Sequence, residues 1–113
     1  MPILEIRSYR LLPRTRDEYH RLFVDEASPL LHAHGIDVVA FGRSMGDANG
    51  YFLMRSFADP SDRERREEAF YASPEWREGA REAVVAKIEV YTDVVVEVGE
   101  ATIEGLRRAL AHS

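Results

Sequence analysis

The chain has 113 residues, 45% of them hydrophobic and 31% charged, with a net charge of −5 and no cysteine. That length holds one domain with one core, and an acidic balance without a basic stripe argues against nucleic acid as a partner. The lack of cysteine removes disulfides, thiolate nucleophiles and cysteine-based metal sites together.

No apolar run approaches the roughly 20 residues that span a bilayer. Residues 1–10 also lack the basic start and sustained apolar run of a signal peptide, so no membrane partner and a cytoplasmic location are expected. Lys87 is the sole lysine among many arginines and alanines, a codon bias of the kind found in GC-rich bacterial genomes.

Ile3 to Leu12 alternates between Pro2 and Pro13 and reads as a first strand. Ile3, Glu5, Arg7 and Tyr9 share one face, and Leu4, Ile6, Ser8 and Arg10 the other. The greasier Leu4–Ile6 side is expected to lie under helices. Thr15-Arg16-Asp17-Glu18 has capping-box spacing, so a helix starts near residue 16. Its buried stripe is Tyr19, Phe23, Ala27, Leu30 and Leu31, interrupted by Pro29 and stopped at Gly35. His20 and His34 flank that stripe.

Residues 36–45 form a second strand, in which Gly42 suggests a bulge. The cluster Gly46 to Gly50 closes a hairpin into a third strand at 51–58. Asp59-Pro60 and Ser73-Pro74 each read as an N-cap followed by proline at the first helical position. These open helices through about Phe70 and about Ala86. The charged run between them, with Arg63, Arg65 and Arg66 among Asp62, Glu64, Glu67 and Glu68, reads as a solvated helix face. Residues 89–98 form a fourth strand, and residues 102–111 a terminal helix.

The resulting β-α-β-β-α-β order is that of an α+β, ferredoxin-like domain, an antiparallel sheet with both main helices on one face. A single domain over 1–113 is expected, with its core at about 3–98 and the helical tail outside it. The uncovered sheet face needs cover too, and a second copy stacking there with two-fold symmetry predicts a homodimer.

Four stretches carry a family likeness: Glu5 to Arg10, Pro29-Leu30-Leu31 before His34-Gly35, Arg55-Ser56-Phe57 with Arg63, and Phe70 to Trp76. Through them the chain resembles the NIPSNAP family of the dimeric α/β-barrel superfamily. The resemblance implies sheet-to-sheet dimers. Related branches of that superfamily include cofactor-free monooxygenases, haem-degrading enzymes, aromatic polyketide cyclases and small dehydratases, so membership alone does not settle an activity. The haem-degrading branch uses an Asn, His and Trp set, whereas the only asparagine here, Asn49, sits in the hairpin turn.

A pocket between sheet and helices is the expected site, with apolar walls and a few polar groups. Tyr9, His20 and Arg55 are the catalytic candidates: the histidine as acid or base near neutral pH, the others to stabilise developing negative charge. Arg7, Phe23, His34, Phe70 and Trp76 are candidate pocket residues. Each has a structural reading beside the chemical one. His20 fits a packed boundary residue, His34 a cation at a helix C-terminus, Arg7 and Arg55 cross-strand ion pairs, and Phe70 and Trp76 core anchors. No H-E-x-x-H, phosphate loop or nucleophile elbow occurs, so no metal and no cofactor are expected. Two readings stay open. One is a cofactor-independent enzyme that oxygenates, cyclises or isomerises a hydrophobic small molecule, aromatic or polyketide-like. The other is a non-catalytic binding or assembly protein.

Overall fold

The structure, a computed structural model, describes residues 1–111. Four strands, β1 (Ile3–Leu11), β2 (Asp37–Arg43), β3 (Gly50–Phe57) and β4 (Ile88–Glu97), form one antiparallel sheet in the order β2-β3-β1-β4. β1 is central and lies between β3 and β4, which is the ferredoxin-like arrangement that the element order predicts. The predicted bulge at Gly42 is absent; Gly42 pairs regularly with Phe52. The register slips instead between Val38 and Ala40, leaving Val39 as the extra residue, buried among Leu4 and Ala40.

Helix α1 (Arg16–Leu22) runs through a wide π-helical turn at Phe23–Ala27 into α2 (Ser28–Ala33). Pro29 lacks an N–H and cannot close an ordinary helical bond, and the widened turn lets the chain pass through it without a break. Thr15 precedes α1, but the capping box does not form: its hydroxyl donates back to the Leu12 carbonyl at 2.7 Å. Gly35 ends α2 with φ +75, and the Ile36 N–H reaches the Leu31 carbonyl at 3.0 Å, a closing bond that needs a left-handed residue.

Helix α3 (Pro60–Ala72) begins as predicted, with Asp59 accepting from the Asp62 N–H at 2.7 Å. The chain extends at Ser73 and turns back into helix at Trp76–Ala80, where the non-helical backbone of Gly79 (φ −104, ψ −114) kinks it before α4 (Arg81–Val85). Ser73 closes one helix and opens the next: its hydroxyl donates to the Phe70 carbonyl at 2.7 Å and accepts from the Trp76 N–H at 3.3 Å. Helix α5 (Glu100–Ala109) begins two residues before the predicted start.

The face assignment predicted for β1 is reversed. The main helices cover Ile3, Glu5, Arg7, Tyr9 and Leu11, which pack with Tyr19, Phe23, Leu31, Phe70 and Trp76. Leu4 lies on the opposite face under α5, against Ile103. The charged side can be buried because every charge on it meets an opposite charge within the same layer, as described below. Helix α5 reaches only part of its face, and Val90, Val94 and Val96 of β4 remain exposed. Among the described residues no helix is long and apolar enough to cross a membrane.

Candidate functional site

Alternation along β1 aims Glu5, Arg7 and Tyr9 at the helices, and the sheet register supplies their partners. Arg55 of β3 stands directly across from Glu5, and Asp93 of β4 directly across from Arg7. The Arg55 guanidinium donates to one Glu5 oxygen (Nε–Oε1 2.7 Å), and Arg63 of α3 donates to the other (Nε–Oε2 2.7 Å). Arg7 forks onto both oxygens of Asp93, at 2.7 and 3.1 Å. Helix α3 completes the layer with residues spaced by four, Arg63, Glu67 and Tyr71. Glu67 accepts from Arg55 at 3.2 Å and lies 3.4 Å from Arg63 and 3.9 Å from Arg7.

Three guanidinium groups therefore face three carboxyl groups, and the carboxyls do not share the charge equally. Burial alone would raise the Glu5 carboxyl, but the Glu67 carboxyl beside it and the charges of Arg55, Arg63 and Arg7 together hold it down at about 2. Glu67 moves the other way. Burial and the neighbouring Glu5 push it up to about 7, against the pull of Arg55 and Arg63. Of the two, Glu67 is therefore the carboxyl that takes a proton more readily.

Tyr71 links the layer to open space. Its hydroxyl oxygen accepts from Arg7 (3.2 Å) and from Arg55 (3.0 Å). With both lone pairs engaged, the hydroxyl proton is left to donate elsewhere.

Above this layer lies a cavity of about 460 Å³, lined by Arg7, Tyr9, Tyr19, Glu67, Tyr71 and Trp76, with Tyr91 and Ile88 of β4 on one side. Residues on either side of the Gly79 kink, namely Arg77, Arg81, Val84 and Val85, close the other side. The size is within the range of about 300–1,000 Å³ usual for small-molecule sites. Its walls combine aromatic and aliphatic side chains with the charged Arg7, Glu67, Arg77 and Arg81, and Arg7 lies over the Tyr91 ring at 4.4 Å from its centroid. Burial raises the Tyr9 hydroxyl above the ordinary tyrosine range, only partly offset by Arg7. Tyr9 is therefore a neutral hydrogen-bond donor at physiological pH.

Of the residues singled out in the sequence, the structure brings Arg7, Tyr9 and Trp76 together on this cavity. Arg55 lies beneath it, sealed from solvent, and reaches it through Tyr71 and Glu67. His20 lies elsewhere: its Nδ1 is 2.6 Å from the Tyr51 hydroxyl, with its ring near Phe41. Its burial, aided by Arg43, lowers the imidazole from its ordinary range. Phe23 is buried against Phe41, and His34 sits edge-on to Phe70 with Glu75 at 3.8 Å. Phe70 packs behind Tyr71 and Trp76 without reaching the cavity.

Glu67 and Tyr71 are residues that the sequence reading missed, as are Tyr19, Arg77, Arg81 and Tyr91 of the lining. The charge pattern groups Glu67 with its neighbours as a solvated helix surface. The signal that finds it is the four-residue spacing of Arg63, Glu67 and Tyr71, which makes one stripe of α3 polar and pairable on the side that faces Glu5 and Arg55.

With this geometry in hand, comparison with known proteins gives a consistent fold. The NIPSNAP family model matches residues 4–93. A NIPSNAP family protein from Agrobacterium tumefaciens superposes with a TM-score of 0.81 at 18% identity, covering 88% of this chain and 95% of that one. A second protein from that organism, described as a NIPSNAP family protein with unknown function, gives 0.79 at 24% identity, covering 87% and 88%. A Nitrosomonas europaea protein named for antibiotic biosynthesis monooxygenases gives 0.66 at 11% identity, covering 88% and 91%. At these identities the likeness establishes the fold alone. No curated protein matches the chain.

Proposed function

The chain belongs to the NIPSNAP family, and on that premise we propose that it is a cytoplasmic bacterial enzyme, independent of any cofactor. Its reaction begins with proton abstraction from a hydrophobic, aromatic or polyketide-like small molecule held in the Tyr9–Trp76 cavity. The observation that carries this reading is the convergence of three groups on one cavity rich in aromatic side chains: the neutral hydroxyl of Tyr9, the hydroxyl of Tyr71 with its proton unused, and the Glu67 carboxyl raised to about 7.

The chemistry follows from these roles. Glu67 as carboxylate takes a proton from a carbon next to a carbonyl; the C–H bond breaks and its electron pair moves onto the carbonyl oxygen. Tyr9 and Tyr71 donate hydrogen bonds to that oxygen as charge develops, with the Arg7 guanidinium behind them. The resulting enolate has three fates. It can be reprotonated by Glu67 at another carbon (isomerisation), attack a second carbonyl of the same molecule (cyclisation), or react with dioxygen (oxygenation). Arg55 fixes Tyr71 and Glu67 in place and does not touch the substrate.

The same reading includes a homodimer. Val90, Val94 and Val96 form an exposed apolar strip on β4, beside the half-buried Ile6, Phe52 and Met54 and outside the reach of α5. A second copy stacked on this face would cover it.

The test is exchange of an acidic C–H. With 2-tetralone as probe in D2O, NMR should show protein-catalysed loss of the α-proton signal, with a pH limb near 7. Glu67→Gln should abolish the catalysis, and Tyr9→Phe should reduce it at least tenfold. If neither 2-tetralone nor a panel of aromatic ketones and acids exchanges or raises the melting temperature, the non-catalytic assembly reading takes its place.

A further inference from the structure

The cavity has two further polar members that the proton chemistry does not use. Arg77 and Arg81 flank the kink at Gly79, one before it and one at the start of α4, and both line the cavity while remaining exposed. The other arginines at this site are committed. Arg7 is forked onto Asp93, Arg55 is shared by Glu5 and Glu67, and Arg63 bonds Glu5 and Asp93. Among the described residues neither the Arg77 nor the Arg81 guanidinium has a hydrogen bond or ion pair. Acidic neighbours are close in sequence, since Glu78 and Glu82 follow them directly, yet neither lines the cavity. Two unpaired guanidinium groups thus sit at the rim of a chamber whose inner wall is aromatic.

From this we infer that the substrate is a carboxylate-bearing aromatic or polyketide-like acid, its carboxylate gripped by Arg77 and Arg81 at the mouth and its ring system inside against Trp76, Tyr91 and Tyr19. This deepens the proposed function and rests on it. Guanidinium groups present their N–H donors in a planar fork that matches a carboxylate. A substrate anchored by its acid end would enter ring-first, placing its interior carbonyl toward Tyr9, Tyr71 and Glu67. Exposure of the two arginines also leaves them free to meet the anion before the apolar part is desolvated.

Trp76 makes the inference measurable, because it is the only tryptophan and stands in the cavity wall. Quenching of its fluorescence by 2-naphthoate and by the neutral 2-naphthamide compares two ligands of one shape that differ in charge. Wild-type protein is expected to bind the acid about tenfold or more tightly than the amide, since each charge-assisted hydrogen bond is worth about one tenfold step. The double variant Arg77→Gln, Arg81→Gln should lose that preference by weakening the acid far more than the amide. A control at exposed positions that do not line the cavity, Arg14→Gln with Arg108→Gln, should keep it. Raising salt from about 50 to 500 mM should weaken only the acid.

Equal affinity for acid and amide in wild type, or a preference that survives in the Arg77/Arg81 variant, overturns the inference while the cavity reading stands. If neither probe quenches Trp76 in wild type, the aromatic-cavity reading falls and takes this inference with it.

Discussion

Glu5 and Arg55 face each other across β1 and β3, and both side chains are 0% exposed, so the sheet beneath α3 carries a sealed ion pair. Removing one partner of such a pair leaves the other buried without full compensation, at a cost of about 3–5 kcal/mol. Arg63 still reaches the second oxygen of Glu5, which places the cost at the lower end. Arg55→Met is therefore expected to lower the unfolding free energy by about 3 kcal/mol, read from urea denaturation at pH 7. A loss below about 1 kcal/mol would mean that Arg63 alone suffices and that the pair is not what holds the layer.

The Glu5–Glu67 pair sets the pH dependence of stability. Glu5 is held at about 2, below its ordinary 4.5, so its contribution is complete above about pH 4.5 and is lost as pH falls toward 2. Glu67 is raised to about 7 from the same ordinary value. Its contribution is complete below about 4.5 and is lost as pH rises through 7, because the native state holds a proton there that the unfolded chain has released. Wild type should thus give a urea midpoint that falls between pH 5 and pH 8. Glu67→Gln should flatten that limb and leave the acid limb in place. A midpoint of Glu67→Gln that falls in parallel with wild type would assign the limb to another group.

How much of this was legible in advance depends on the range of the interaction. The caps at Asp59-Pro60 and Ser73-Pro74 and the stop at Gly35 were, because they act on backbone within a few residues, whereas the Thr15 hydroxyl turned back to Leu12 instead. The strand order followed from element order. The orientation of β1 did not, because Leu4 and Ile6 look more buriable than Glu5 and Arg7 until the partners on β3, β4 and α3 are in place. Those partners lie 50 to 86 positions away for Arg55, Arg63 and Asp93. His20 drew attention through its intrinsic titration range, yet its ring is committed to Tyr51. Tyr71 was visible only as part of the Phe70–Trp76 stretch. Its two arginine donors come from separate strands, which no local pattern records.

The two residues that meet edge-on at the end of α2, His34 and Phe70, should behave very differently on truncation. Phe70 is buried and packs on Tyr71, Trp76 and His34. Phe70→Ala removes a large ring from a closed core, and about 3–5 kcal/mol of destabilisation is expected. His34 keeps part of its ring in solvent and has only the 3.8 Å approach to Glu75, so His34→Ala should cost about 1 kcal/mol or less. Paired thermal and urea unfolding would check both. A His34→Ala loss as large as that of Phe70→Ala would give the imidazole a structural weight that its exposure does not suggest.

The proposed dimer is the most direct of these expectations to examine. On the face opposite the cavity, Val90 and Val94 are 51% and 56% exposed, and they lie on an edge strand ten residues long. A long apolar edge and face of this kind attracts other chains unless a specific partner covers it. Light scattering on wild type is expected to give twice the mass of one chain. Val90→Glu with Val94→Glu should return a single-chain mass, because carboxylates brought together across a two-fold axis repel and cannot be desolvated cheaply. The cavity lies on the other side of the sheet, so 2-naphthoate quenching of Trp76 should persist in that variant. A wild-type protein that is already a single chain would sink the stacking proposal. A charged variant that keeps the doubled mass would move the interface to another surface.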